Sequence, residues 1–388
     1  MITLHYSKNN ADFTTELRKS VKEYFKENNI QKYGNTEILI KTVFMLLIYL
    51  VPYFLMISGN MVSIPWVMTS WVIMALGMSG LGVATMHDAN HGSFSKHKWV
   101  NKLFSKSLYL LGGYPPNWQY QHNTLHHGYT NIEGHDEDIG HEGVLRFSPH
   151  KPIKKIYKFQ QIYAWFFYGL MTVSWITLKD FKRLKKYKDS GVVLSGNNNY
   201  RKMFVELLVS KVFYYAIFLV LPILLVPVAW YWILTGFLLM HFLSGLILST
   251  IFQSAHVMPT SEYPLPDDQN NLDYNWAVHQ LYTTADFSPK SKVFSWLLGG
   301  LNYQVEHHLF PNISHIHYRN IAEIVQKTAE KYHFPYHVNE SFLEAIRQHY
   351  KMLKWLGRTK NINTAAANTF VANKASANKV AANKVAAE

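Results

Sequence analysis

The chain contains no cysteine. That removes any disulfide framework, any thiolate metal site and any built-in iron–sulfur cluster. Charge is scarce too: Asp, Glu, Lys and Arg make up 16% of the 388 residues, against about 25% in an ordinary soluble domain. The scarcity is local. No charged residue lies between Lys41 and Asp88, or between Lys211 and Glu262, runs of 46 and 50 residues. A bilayer crossing takes about 20 apolar residues, so each run has room for two crossings and a tight bend. Soluble helices of this length carry charge on at least one face, which argues against a pair of buried core hairpins. Also missing are a His-Glu-x-x-His protease motif and a nucleophile elbow.

What is present predicts an all-α integral membrane protein with four transmembrane helices in two hairpins, at about 42–58, 64–86, 212–230 and 231–253. A helical cap is expected on one side. The net charge of +13 crowds outside the hairpins, notably in "KDFKRLKKYKD" (179–189), while both bends are uncharged. The positive-inside rule then places the bends outside and everything else, both termini included, in the cytoplasm. The membrane is a bacterial inner membrane or, in a eukaryote, the endoplasmic reticulum. A basic cytoplasmic face suits anionic lipid headgroups or an acidic protein partner. Nucleic acid is not expected, because the charge is scattered and no binding motif accompanies it. The uncharged stretch 159–178 reads as an interfacial helix, and so does 103–118, whose one charge is Lys106. Residues 1–36 are polar, unlike a signal peptide, with an amphipathic helix expected over "DFTTELRKSVKEYFKEN". Residues 1–360 form one domain. The remaining 361–388, with their Ala/Asn/Lys repeat, are low-complexity and carry no assigned chemistry.

Histidines are the chemical signal. "HDANH" places His87 and His91 at i,i+4, one above the other on a helical face; "HNTLHH" repeats the spacing with His122 and His126, and adds His127 rotated by about 100°. "QVEHH" contributes His307 and His308, and "QSAH" puts His256 just past the fourth span. With the hairpin topology all of them reach one side of the membrane. Eight imidazoles exceed the four ligands of a tetrahedral zinc and suit two metals. Soluble di-iron bundles use Glu-x-x-His motifs; here that pattern occurs only as "EKYH" (330–333), a surface feature. Iron activating dioxygen against a lipid carbon–hydrogen bond fits a histidine-rich site beside a bilayer. The nearest carboxylates, Asp88, Asp136, Asp138 and Glu306, are candidates to orient the imidazoles. His135 and His141 lie near the second cluster. His315 and His317 are expected to cap or bond locally, and His241 to pack within the fourth span.

The three clusters resemble the histidine boxes of the membrane fatty-acid desaturases. The likeness extends through "HHGYTNIEGHDEDI", "HQLYTTADFS" and "GGLNYQVEHHLFPNISHIHY", covering roughly 10–355. The Gln opening the third box is similar to the front-end branch, which acts between an existing double bond and the carboxyl end. The resemblance implies a four-span fold whose cap holds two non-haem irons, ligated by His87, His91, His122, His126, His127, His256, His307 and His308. It also implies a ligand or near-ligand role for Gln304, where many relatives have His. The substrate would be a fatty-acyl-CoA or acyl-lipid, with dioxygen as co-substrate and a cis double bond as product. Many front-end members carry a fused cytochrome b5 domain with "HPGG". That motif is missing, so a separate cytochrome b5 or ferredoxin is expected to supply electrons. A hydroxylase with the same metal site is the alternative. A metal transporter would need ionisable residues inside the spans, where only His241 occurs, and an inert scaffold would leave the histidines without purpose.

Overall fold

The computed structural model describes residues 4–359 apart from 61–62, 141–142, 195 and 197–198. The tail 361–388 and His141 lie outside the described residues. In chain order the main helices are α1 (Ala11–Glu27), α2 (Thr36–Ile57), α3 (Ile64–His91), α4 (Gln160–Gly169), α5 (Asp180–Asp189), α6 (Tyr200–Leu225) and α7 (Trp230–His256). They are followed by α8 (Trp276–Thr283), α9 (Gln304–Leu309), α10 (Tyr318–Lys331) and α11 (Phe342–Leu356). Two short parallel strand pairs, His5–Tyr6 with Asn271–Leu272 and Asp286–Phe287 with Val338–Asn339, join segments distant in sequence.

Four helices, α2, α3, α6 and α7, are long and apolar enough to cross a bilayer, and the chain is an integral membrane protein. They differ in enclosure. Of the most apolar window, 72% is buried in α3 and 44% in α7, against 33% in α2 and 28% in α6. The outer pair therefore turns an apolar surface, such as Phe213 and Leu224, away from the protein, as lipid contact requires. The inner pair packs together and carries histidines at its ends. Small residues allow the close approaches: a Cβ on Gly77 of α3 would stand 2.5 Å from the Tyr49 backbone nitrogen in α2.

The helices overrun the charge-free stretches. α6 starts at Tyr200, not near 212, and ends at Leu225, not 230. Pro227 is the reason for the early end, because the residue before a proline leaves the helical region; Val226 sits at φ −87°, ψ 124°. The early start takes Lys211 into the protein, where its Nζ donates to Asp180 Oδ2 at 2.7 Å and to the Trp175 carbonyl at 2.8 Å. The 159–178 stretch is broken into Gln160–Gly169, Met171–Ser174 and the π-helical start of the next segment, none of spanning length. His241 packs as expected within α7, with Nε2 2.9 Å from the Tyr214 hydroxyl. The α1 helix forms where its amphipathic pattern predicts, laying Phe13, Leu17 and Val21 against Ile321 and Val325 of α10. His333 of "EKYH" is exposed.

Candidate metal centre

Three elements deliver the box histidines. The last turns of α3 loosen into a π-helical stretch, Leu81–Met86, before His87–His91; Gly92, at φ 72°, then stops the helix. The second box lies on another π-helical stretch, Tyr120–His126. The third is the short α9. His256 is the last residue of α7.

Their ring nitrogens gather into two principal groups. Ligand atoms of His87, His91, His122 and His307 lie within 4.8 Å of one another, and so do those of His126, His256 and His308. His127, with His307 and His308, forms a third set that joins the two. The second box departs from the α-helical expectation. The His127 backbone N–H bonds to the carbonyl of His122, five residues back, at 3.0 Å. The wider π turn thus brings His127, not His126, over His122: their Nε2 atoms are 3.3 Å apart. His126 turns instead to the other group.

The donor set fits metal ligation. On the eight clustered histidines, seven buried nitrogens have no hydrogen-bond partner among the described residues: Nδ1 of His87 and His127, and Nε2 of His91, His126, His256, His307 and His308. Each such atom costs about 1–3 kcal/mol when left unsatisfied, and convergence of seven is what metal ions would relieve. On four of the rings the opposite nitrogen is held. His126 Nδ1 is 3.1 Å from Asp136 Oδ2, His308 Nδ1 is 2.9 Å from Gln280 Oε1, His307 Nδ1 is 3.2 Å from the Tyr318 hydroxyl, and His256 Nδ1 is 3.4 Å from the Thr283 carbonyl. Burial and neighbouring imidazoles push His122, His127, His307 and His308 well below the usual histidine range, so all four are neutral, the ligating form. For His126 burial acts the same way, but the charge and hydrogen bond of Asp136 outweigh it and raise its pKa.

The candidate carboxylates fare unequally. Asp136 meets its ring directly; Asp138 is 3.8 Å from His126 Nδ1 and is bonded by Gln121. Asp88 is drawn elsewhere. Its Oδ1 stays 3.9 Å from His87 Nδ1, while Oδ2 accepts from Ser314 Oγ at 2.7 Å and His315 Nδ1 at 2.9 Å. Glu306 must be corrected: its partners are Asp286 and Tyr336, whose hydroxyl lies 3.0 Å from Glu306 Oε1 and 2.7 Å from Asp286 Oδ2. One helical step, about 100°, separates it from His307, so adjacency in sequence turns it away. Burial first, then the Asp286 charge, raises Glu306 far above the usual range. His315 is not local either: Lys41 Nζ of α2 lies 2.7 Å from its Nε2, completing a buried Lys41–His315–Asp88 chain. His317 reaches the Tyr33 carbonyl at 3.2 Å. His135 lies against Tyr129 and joins none of the histidine groups. Gln304 is buried, its Nε2 donates to the Leu301 carbonyl at 2.8 Å, and its side chain lies beside His256. Gln280, Thr283 and Tyr318 were missed as ring partners; the first two stand in the "HQLYTTADFS" stretch, which carried the resemblance without disclosing a role.

A cavity of about 860 Å³ opens beside the histidines. Its wall includes Met86, Trp118, Leu248 and Phe252 next to His87, His122, His307 and Gln304. The volume is within the range of about 300–1,000 Å³ usual for small-molecule sites. Gathered histidines able to hold metal, beside a cavity with apolar walls in a membrane protein, fit a membrane oxidoreductase acting on an apolar chain. The family model "Fatty acid desaturase" matches residues 62–340. An "sn-1 linoleoyl-lipid 6-desaturase" of Arthrospira platensis is 32% identical over 346 residues, 88% of this chain and 92% of the relative. One of the same description from a Synechocystis strain is 31% identical over 350 residues, 89% and 96% of the two chains. An "Acyl-lipid (8-3)-desaturase" of Physcomitrium patens is 32% identical over 368 residues, 92% and 74%. The chain belongs to the fatty acid desaturase family and is an enzyme that desaturates fatty-acyl chains.

Proposed function

We propose that this desaturase is a front-end acyl-lipid enzyme that introduces a cis double bond near the carboxyl end of a chain such as linoleate. The observation that carries the reading is the set of gathered, unpartnered imidazole nitrogens beside a cavity whose wall includes His87 and His307. Two irons, held by His87, His91, His122, His126, His127, His256, His307 and His308, would supply the reduction of dioxygen and the removal of hydrogen from an unactivated carbon. The balance is one CH2–CH2 unit, dioxygen, two electrons and two protons giving one CH=CH and two waters. Gln304, beside His256, would complete the second group as a ligand or through a water.

The chain's own residues prepare this. Asp136 and Gln280 accept from Nδ1 of His126 and His308, which fixes the tautomer and turns each Nε2 inward. Trp118 stacks on His122 with centroids 4.4 Å apart, and Phe252 lies 4.7 Å from the His126 ring, so apolar surface excludes water beside the ligands. The charge-free bends and basic cap support a cytoplasmic site and cytoplasmic termini, where a separate cytochrome b5 or ferredoxin delivers electrons. The test is expression in a host fed linoleate, with chromatography locating new double bonds and elemental analysis of the purified protein. The expected outcome is a new bond on the carboxyl side of the existing ones and about two irons per chain. One zinc, or hydroxylated product alone, refutes the reading.

A further inference from the structure

The basic segment 179–189, which the sequence places outside the hairpins, also lines the cavity. Lys179, Lys182, Arg183 and Lys186 fall at i, i+3, i+4 and i+7, one face of the helical stretch leading into and along α5, and all four line the same cavity as His122 and His307. Two of them are spent on a carboxylate. Arg183 Nε is 3.2 Å and Lys186 Nζ 2.7 Å from Glu137. Arg183 Nη1 also donates to Gln121 Oε1 at 2.6 Å, and Gln121 bonds Asp138, which faces His126. This fastens the basic face to the second histidine box. Lys179 and Lys182 pair with no carboxylate among the described residues; Lys179 lies over the Trp175 ring, 5.5 Å from its centroid. Burial, then the Arg183 charge, pushes Lys179 down to about 7. An anion entering the cavity would relieve that.

We propose that Lys179 and Lys182 form a phosphate subsite that anchors the polar head of the acyl substrate at the mouth of the metal-lined cavity. The proposal rests on the acyl-lipid desaturase reading and names its substrate class. A double bond placed a few carbons from the carboxyl group needs the head held close to the metals, and a cation pair sharing a wall with His122 and His307 provides that. A phosphate could come from a phospholipid or from coenzyme A.

Binding is measured first, on the full-length protein in nanodiscs, without turnover. Dihexanoyl phosphatidate and dihexanoylglycerol share their chains and differ in the phosphate. Phosphatidate is expected to bind about tenfold tighter or more, and the Lys179→Gln/Lys182→Gln double variant to bring the two within about twofold. Lys179→Arg should retain the preference. Equal binding by the wild type, or a preference that survives the double substitution, overturns the proposal. Linoleoyl chains are then offered as phosphatidylglycerol, as the coenzyme A thioester and as a galactolipid. Fastest turnover of the first assigns a lipid phosphate and of the second the thioester's; fastest turnover of the galactolipid overturns the subsite. A phosphate preference in binding with no new double bond on any carrier supports the subsite and refutes the desaturase reading alone.

Discussion

The two histidine groups are built differently. In the group of His126, His256 and His308 every ring has its outer nitrogen held, by Asp136, by the Thr283 carbonyl and by Gln280. Gln280 is itself bonded by Thr130, whose hydroxyl reaches the His126 carbonyl at 2.7 Å. In the group of His87, His91, His122 and His307, only His307 has a close outer partner among the described residues, the Tyr318 hydroxyl. The four-histidine group has more ligands and less scaffolding; its rings are held mostly by packing, as His122 is by Trp118. The three-histidine group has a position to spare, and Gln304 stands beside it. Histidine number and outer support thus trade against each other across the two groups.

The comparison breaks most completely at His307, which belongs to both the four-histidine set and the bridging set. His307→Ala should abolish turnover and lower iron content at both positions, while membrane extraction behaviour stays that of the wild type. Elemental analysis with product chromatography checks this. Next comes Asp136→Asn, which removes the charge hydrogen-bonded to His126: activity should fall by about 10–100-fold with one iron lost in preference to the other, read by Mössbauer spectroscopy of the loaded protein. Gln304→Ala should lower occupancy at the three-histidine position selectively, and Gln304→His should restore the metal but not the full rate; full activity and two irons in Gln304→Ala would leave the residue only a packing role. Gln280→Leu should cost about tenfold, because His308 loses its acceptor while keeping its place. The smallest effect belongs to Tyr318→Phe, a change of about a few-fold at the less supported group. If Tyr318→Phe proves as damaging as Asp136→Asn, the asymmetry between the groups is not functional.

The histidines themselves were legible, because charge-free runs and repeated spacing put them on one side of a membrane and within reach of one another. Their pairing was not. A spacing argument assumes 3.6 residues per turn, and the second box is a π turn, so His122 meets His127 and His126 is released. The supports were the least legible part. Asp136 was within ten residues of its ring; Gln280 and Tyr318 reach rings 28 and 11 residues away through folded loops, and nothing in their local sequence marks them. Glu306 shows the converse, being next to the ligands in sequence and committed to Asp286 in space. Helix ends were misplaced where buried pairing, as at Lys211, lets a charge enter a helix that composition alone would begin later.

Phe252 occupies a double station on α7. It is part of the cavity wall, and its ring lies 4.7 Å from His126 and 4.9 Å from His256, the residue one turn further along the same helix. The cavity wall and the packing against two imidazoles are therefore one ring on one helix. Trimming Phe252 would widen the cavity and loosen both rings at once, whereas trimming Leu248 or Met171, which also line it, would widen it alone.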